Sequence, residues 1–148
     1  MKLKNIPALL VLFAMFTAIG TLQAQDAPEA VKKTFQKKYP GENDPDWHTD
    51  SHGNYESHFK IDGIKYRADF HPNGAWIETE TSIDKKDLPK AIQNVIKERY
   101  GDRKISEVEK VQSAAKGLFY DVEFKQKGKN MDVEFKEDGT IINLDDLD

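Results

Sequence analysis

Histidines and carboxylates occur close together in the first half of this chain, and such ligand sets suit divalent transition metals. All the histidines of the chain lie there: His48, His52, His58 and His71. They are interleaved with Glu42, Asp44, Asp46, Asp50 and Glu56. The histidine spacings match no compact ligand motif, and the aspartates lack the glycine and the terminal glutamate of an EF-hand loop. Exposed histidines in a solvated acidic segment are therefore the favoured interpretation, and a metal-binding protein or metal-dependent enzyme is the alternative.

Glu56 and Asp69 are the candidates for acid–base chemistry, because a hairpin turn at Asp62 and Gly63 places them opposite each other. Two facing carboxylates can share one proton. Lysine and arginine neighbours on an open sheet favour two solvated carboxylates instead. The chain has no cysteine, and its serines lie in no nucleophile elbow or triad. We therefore predict no catalytic residues, no cofactor and no enzymatic activity.

A candidate partner-binding patch combines an aromatic ring, a guanidinium and two imidazoles. The strand register expected after residues 73–74 places Trp76 opposite His71 and outward, beside Arg67 and His58. Ile141, the counterpart of Trp76 later in the chain, is also expected to point outward. Trp and Arg are common interface anchors because they join a large contact area to directional hydrogen bonds. The competing interpretation is that Trp76 only covers a sheet edge or a loop.

The elements that position these residues occur twice. Residues 28–39, PEAVKKTFQKKY, return as residues 89–100, PKAIQNVIKERY. Five later positions also recur: Tyr55, Phe59, Gly63, Phe70 and Gly74 correspond to Tyr120, Phe124, Gly128, Phe135 and Gly139. The wider spacing in the second copy places an insertion between Tyr100 and Tyr120. We predict one pseudo-symmetric domain at residues 25–148, with repeats at 26–81 and 87–148.

Each repeat begins with an amphipathic helix. In the first, Asp26 is the expected N-cap, and the apolar stripe is Val31, Phe35 and Tyr39. In the second, Asp87 is the expected N-cap, and the stripe is Ile92, Val95, Ile96 and Tyr100.

Alternation with period two follows each helix and predicts antiparallel strands. The residues expected to face the helix are Tyr55, Ser57, Phe59 and Ile61, then Ile64, Tyr66, Ala68 and Phe70, then Ile77 and Thr79. In the last strand of the second copy they are Ile142 and Leu144. Shorter strands around Trp47 and Val108 open the two sheets. Because a unit of about 60 residues has a thin core by itself, we predict an α+β fold with one joint antiparallel sheet and both helices on one face.

The order of these motifs resembles the PepSY-like, beta-lactamase-inhibitor-like family of small secreted bacterial proteins. The resemblance is carried by LPKAIQNVIKERYG at residues 88–101, YDVEF at 120–124, MDVEF at 131–135 and EDGTI at 137–141. It implies a tandem helix-plus-sheet fold like that of the beta-lactamase inhibitor protein, with a sheet face that engages a partner. It implies no catalytic residue. Trp47, His48, Asp50 and His52 depart from the family pattern.

Residues 1–24 have the pattern of a secretory signal peptide, in which Lys2 and Lys4 precede an apolar run that ends at Ala24. Cleavage there changes the formal charge from −4 to −6, because both lysines are lost. An acidic protein of this kind is repelled by nucleic acid and by anionic membranes. We expect a monomer in the periplasm or outside the cell, with no membrane insertion after cleavage.

The sequence therefore favours a non-catalytic module that binds a protein or an envelope ligand through the exposed sheet face. A purely structural envelope protein is the further possibility. Charged residues are depleted from interface cores, so an acidic face predicts no useful inhibition of beta-lactamase.

Overall fold

The computed structural model describes residues 26–144, so the predicted signal peptide lies outside the described residues. The described chain forms two α-helices and eight β-strands, with a 3₁₀ turn at Lys85–Asp87. In chain order these are α1 Glu29–Lys38, β1 Asp46–Thr49, β2 Tyr55–Ile61, β3 Ile64–Phe70, β4 Trp76–Ser82, α2 Lys90–Tyr100, β5 Ile105–Ser113, β6 Gly117–Phe124, β7 Met131–Phe135 and β8 Ile141–Leu144. Neither described helix has the length and apolar character needed to cross a membrane.

All eight strands form one antiparallel sheet in which neighbours in the chain are neighbours in space. The two halves join edge to edge where β4 pairs with β5, so that Glu78 faces Ser113 and Ser82 faces Glu109. The insertion between Tyr100 and Tyr120 falls around β5, which has 9 residues and pairs with both β4 and β6. The predicted α+β fold with a joint antiparallel sheet is confirmed.

Both helices lie on the same face of this sheet. Cross-strand partners point to the same side, and Ala68, Thr79, Gln112 and Leu118 are successive partners from β3 to β6. Ala68 packs in the core beneath α1. Val122, which shares the side of Leu118 on β6, packs in the core beneath α2. The arrangement of the helices is therefore as predicted.

Two hydrophobic clusters form the core. Under α1, the ring of Phe35 lies 5.1 Å from Phe59 and 5.4 Å from Trp47 between ring centroids. Under α2, Ile92 and Ile96 pack on the apolar residues of β5 to β7. Ile61 and Ile64, which were expected to face the helix, are exposed because they lie at the tip of the β2–β3 hairpin.

The helices begin later than predicted, because each proline takes the N-cap position. Pro28 precedes α1 and Pro89 precedes α2, and neither cap makes a side-chain hydrogen bond. Asp26 instead forms an ion pair with Lys32 at 2.7 Å. Asp87 lies in the 3₁₀ turn. A proline fits here because the first amide of a helix has no acceptor within the helix.

Three strand pairs contain a shift of register that the alternation did not predict, and in two of them, β3–β4 and β7–β8, the shift follows a tight turn. Phe70 pairs with Trp76, and Phe135 pairs with Ile141, in each case next to a shift of register. The turn before each bulge touches a helix: a Cβ on Gly74 would lie 2.6 Å from the carbonyl oxygen of Ala30 in α1. Gly74 also has a φ of +86°, which glycine adopts readily. The bulge thus turns the start of the next strand toward the helix.

Candidate functional site

We name the sheet face opposite the two helices the open face. The strand register places a large set of carboxylates on it: Asp46, Glu56, Asp69, Glu78, Glu80, Glu107, Glu109, Asp121, Glu123, Asp132 and Glu134. The histidines and most of the basic residues on the same face come from the first half of the chain: His48, His58, Lys60, Lys65 and Arg67. No described helix covers this face, which leaves it accessible to a partner.

The centre of the open face is a small depression that we name the acidic pocket. Its six carboxylates are Glu80, Glu107, Glu109, Asp121, Glu123 and Asp132, and Arg67 lies at its edge. The volume is about 210 Å³. Four neighbouring strands, β4 to β7, contribute the carboxylates, and antiparallel pairing brings them together. For example, Glu109 faces Asp121 and Glu107 faces Glu123.

Arg67 is the cationic residue that lines the acidic pocket. Its Nη2 donates to Oε1 of Glu80 at 2.5 Å, and its Nε lies 3.4 Å from Oδ2 of Asp69. The side chains of Glu80 and Asp69 are only 11% and 13% exposed. A single guanidinium carries one positive charge, so it cannot balance all the carboxylates around it.

Several carboxyl groups of the open face hold their protons unusually tightly. Burial raises the pKa of Asp121 to about 7, and the nearby charges of Asp132, Glu109 and Glu134 add to the shift. Burial also raises the pKa of Asp69 to about 6, although Arg67 opposes the change. Loss of hydration disfavours the charged form of a carboxyl group. The open face therefore carries fewer negative charges at neutral pH than its residue types suggest.

Glu80 and Glu109 titrate as a pair. Burial raises the pKa of both carboxyl groups, and Arg67 only partly offsets the effect. The hydrogen bond between the two side chains raises the pKa of Glu80 and lowers that of Glu109. The two carboxyl groups are therefore expected to share one proton rather than to ionise independently.

An apolar strip borders the acidic pocket on the open face. Val111 and Phe119 are cross-strand partners, and they are 1% and 4% exposed. The ammonium of Lys116 lies 5.1 Å from the ring centroid of Phe119 and 2.7 Å from Oε1 of Glu134. These contacts bury the strip beneath neighbouring side chains rather than beneath a helix.

The structure brings two of the predicted patch residues together and separates the others. His58 and Arg67 face each other on the open face, as predicted, and so do Glu56 and Asp69. His71 lies beyond the end of β3, where its Nδ1 is 2.9 Å from Oδ1 of Asn54. The partner-binding role of these residues stays a prediction.

Trp76 does not point outward, and its predicted position beside Arg67 is wrong. The bulge pairs it with Phe70 instead of His71, which turns its ring to the helix face. There its Nε1 donates to Oγ1 of Thr79 at 2.9 Å, and the ammonium of Lys38 lies 3.7 Å from its ring centroid. Trp76 is therefore part of the α1 core.

Ile141 also lies on the helix face, so its predicted outward position is wrong for the same reason. The second bulge pairs it with Phe135, and it packs against the core beneath α2. Ile142, which was expected to face inward, is 37% exposed. One extra residue in a strand shifts the alternation by one position, so the residues before it point to the opposite side of the sheet.

We expect Trp76→Ala to lower the free energy of unfolding by about 2 kcal/mol, because a half-buried aromatic ring is removed from the core. Trp76→Phe keeps most of the packing and loses the hydrogen bond to Thr79, so its expected cost is about 1 kcal/mol. Urea denaturation of both variants measures these losses. An unchanged stability for Trp76→Ala would show that the ring is not part of the core.

The histidines do not converge on one point in the described structure. His48 and His58 are neighbours, with ring centroids 5.0 Å apart, whereas His52 contacts Asp50 and His71 contacts Asn54. A group of three carboxylates does converge, with ligand atoms of Asp69, Glu78 and Glu80 within 4.8 Å of one another. Arg67 already pairs with two of these carboxylates. The histidine-based metal hypothesis gains no support from this geometry.

The acidic pocket is a feature that the sequence patterns did not predict. Its signal was present as acidic residues at alternating positions of the strands, for example at Glu107, Glu109, Asp121 and Glu123. An alternating acidic pattern normally indicates a solvated strand face. Only the pairing of four such strands shows that the carboxylates crowd and bury one another.

The fold and its open face define an α+β protein of the beta-lactamase-inhibitor-like class. Residues 53–143 match the family described as "Putative beta-lactamase-inhibitor-like, PepSY-like", and the chain belongs to this family. The predicted resemblance is thereby confirmed. No curated protein is significantly similar in sequence to this chain.

Several solved structures share the fold. A BLIP-like protein from Bacteroides fragilis is 23% identical, with a TM-score of 0.70 over 82% of this chain and 86% of that chain. A DUF2874 family protein from Bacteroides uniformis is 22% identical, with a TM-score of 0.72 over 80% and 88%. A third structure, described as "putative periplasmic proteins" from Bacteroides eggerthii, is 20% identical, with a TM-score of 0.72 over 80% and 87%.

Proposed function

We propose that this protein is a non-catalytic binding module of the periplasm or the extracellular space that engages another protein through the open face. The observation that carries the proposal is an eight-stranded sheet with both helices on one side and no described element on the other. A sheet face of this extent, with a buried polar centre, offers a partner both contact area and specific hydrogen-bonding groups.

The chemistry of the open face supports binding rather than catalysis. The acidic pocket gathers carboxylates, and its neighbouring cation, Arg67, is already paired with Glu80 and Asp69. The guanidinium that could stabilise charge developing on a substrate is therefore already engaged. Apart from that paired guanidinium, the described side chains that line the pocket are all carboxylic acids.

Two further findings support a location outside the cytoplasm. The amino-terminal residues have the pattern of a secretory signal, and a structurally similar protein is described as periplasmic.

Site-specific photocrosslinking tests the proposal. A photoreactive amino acid is placed at His58 or Glu123 on the open face, and at Lys33 or Lys97 on the exposed surfaces of the helices. The variants are expressed in the native host, and their adducts are compared by mass. We expect discrete protein adducts from the two open-face positions and none from the helical positions. Adducts that arise only from the helices, or from no position, would contradict the proposal.

A further inference from the structure

The open face has an uneven distribution of charge that limits which partners it can accept. Its central strands, β4 to β7, contribute carboxylates, whereas its cations lie on β2 and β3. Lys116 reaches this region from the β5–β6 turn and is paired with Glu134. Like charges that meet across an interface oppose binding, so an anionic partner is disfavoured here.

Building on the proposed function, we propose that the open face binds a basic polypeptide segment and that the acidic pocket takes a Lys or Arg side chain of that segment. The pocket volume of about 210 Å³ suits the cationic end of one such side chain. In their ionised form, the carboxylates of the pocket can only accept hydrogen bonds and cannot donate them to one another. An ammonium or guanidinium supplies the several donors that such a set of acceptors requires.

A buried acceptor without a partner supports this inference independently of net charge. Oδ1 of Asp121, a residue that lines the acidic pocket, is buried and has no hydrogen-bond partner among the described residues. Folding removed this oxygen from water without giving it a donor. Rotation of the Asp121 carboxylate toward the pocket would let a cationic side chain of a partner supply the donor, so that binding recovers an interaction that folding left unmade.

A divalent cation fits the pocket less well than a basic side chain. Two of the three carboxylates whose ligand atoms converge, Asp69 and Glu80 but not Glu78, are already paired with the guanidinium of Arg67. The remaining pocket carboxylates are spread over β5 to β7. Binding of calcium in place of a peptide is nevertheless an outcome that the experiment below distinguishes.

Fluorescence anisotropy with three labelled nonapeptides tests the inference on the full mature chain. The peptides alternate glycine with lysine, serine or glutamate. We expect the lysine peptide to bind at least roughly tenfold more tightly than the serine peptide, because of charge complementarity, and the glutamate peptide not to bind. Calcium at millimolar concentration should leave this order unchanged. Displacement of the lysine peptide by calcium at this concentration would favour a metal site and overturn the inference.

Matched triple variants separate the pocket from net charge. The pocket variant carries Glu107→Gln, Asp121→Asn and Glu123→Gln. The control carries Glu29→Gln, Glu98→Gln and Glu137→Gln, which lie on exposed surfaces and remove the same number of carboxyl groups. We expect the affinity for the lysine peptide to fall roughly tenfold in the pocket variant and less than about twofold in the control, since a rim charge contributes little to affinity. Equal losses in the two variants would overturn the inference.

A measurement on the unaltered protein gives a test that does not depend on the folding of the variants. Addition of the lysine peptide should shift the backbone amide resonances of β4 to β7 and leave those of α1 and α2 unchanged. Shifts confined to the helices would overturn the inference. If photocrosslinks form at the open face while the lysine peptide fails to bind, the partner chemistry is wrong and the proposed function stands. If both experiments fail, the proposed function fails as well.

Discussion

Raising the pH from 5 to 9 is expected to lower the free energy of unfolding by an amount on the order of 3 kcal/mol, since one unit of pKa corresponds to about 1.4 kcal/mol. The cause is the open face. The pKa of Asp69 is raised to about 6 and that of Asp121 to about 7, mainly by burial. The pKa values of Glu80 and Glu109 are raised for the same reason.

The sign follows from proton binding. Between the ordinary pKa of a carboxyl group, near 4, and its raised value in the fold, the folded chain holds a proton that the unfolded chain releases. This contribution is fully present below the unfolded pKa and is lost as the pH rises through the folded pKa. The fall in stability is therefore expected to begin near pH 4, to pass through the pKa values of Asp69 and Asp121 near pH 6 and 7, and to continue above them through Glu80 and Glu109. This is the reverse of the behaviour of salt-bridged carboxylates.

Urea denaturation at pH 5, 7 and 9 measures this dependence. In Asp121→Asn the amide no longer titrates, so the slope of stability against pH should become smaller. Glu98→Gln, which removes an exposed carboxyl group on α2, serves as the control and should keep the slope of the unaltered protein. Stability that increases from pH 5 to pH 9 would show that these carboxyl groups are not buried as described.

Phe35→Ala is expected to lower the free energy of unfolding by about 3 to 5 kcal/mol, the usual cost of removing a buried aromatic ring. Phe35 is 1% exposed, and its ring contacts the rings of Tyr39, Trp47, Phe59 and Phe70. No neighbour can fill the resulting cavity without disturbing several aromatic contacts. Because small domains have a total stability of about 5 to 15 kcal/mol, this single change removes a large share.

Ile64→Ala is the matched control, because Ile64 is a large apolar residue that is 45% exposed at a hairpin tip. Its expected cost is below about 1 kcal/mol. Thermal and urea denaturation of the two variants, followed by circular dichroism, provide the comparison. Similar losses in both would mean that α1 does not anchor the first half of the sheet through Phe35.

The proposed partner chemistry and the pH dependence have one physical origin. Carboxylates that crowd on an uncovered sheet face hold protons when no cation is available, and a cationic side chain can replace those protons. Stability and binding are therefore linked on the open face. A partner that brings a positive charge is expected to stabilise the fold most strongly at alkaline pH.

Local patterns in the chain were sufficient to predict the helices, the strand order of each half and the β2–β3 register. The stripe of Val31, Phe35 and Tyr39 specifies a helix face, and the turn at Asp62 and Gly63 specifies which residues pair. These are interactions between residues close in sequence, whose spacing the chain records directly. The family resemblance was also visible, because it is carried by the same short motifs.

The direction of Trp76 and Ile141, and the existence of the acidic pocket, were decided by the tertiary structure. The turn at Gly74 packs against the backbone of Ala30 in α1, and a bulge follows this turn. Because of the bulge, the residue before it points to the opposite face of the sheet. Crowding among Glu80, Glu109 and Asp121 arises only when β4, β5 and β6 lie side by side. Burial and pKa depend on distant residues that share a surface, and no alternation within a single strand encodes that proximity.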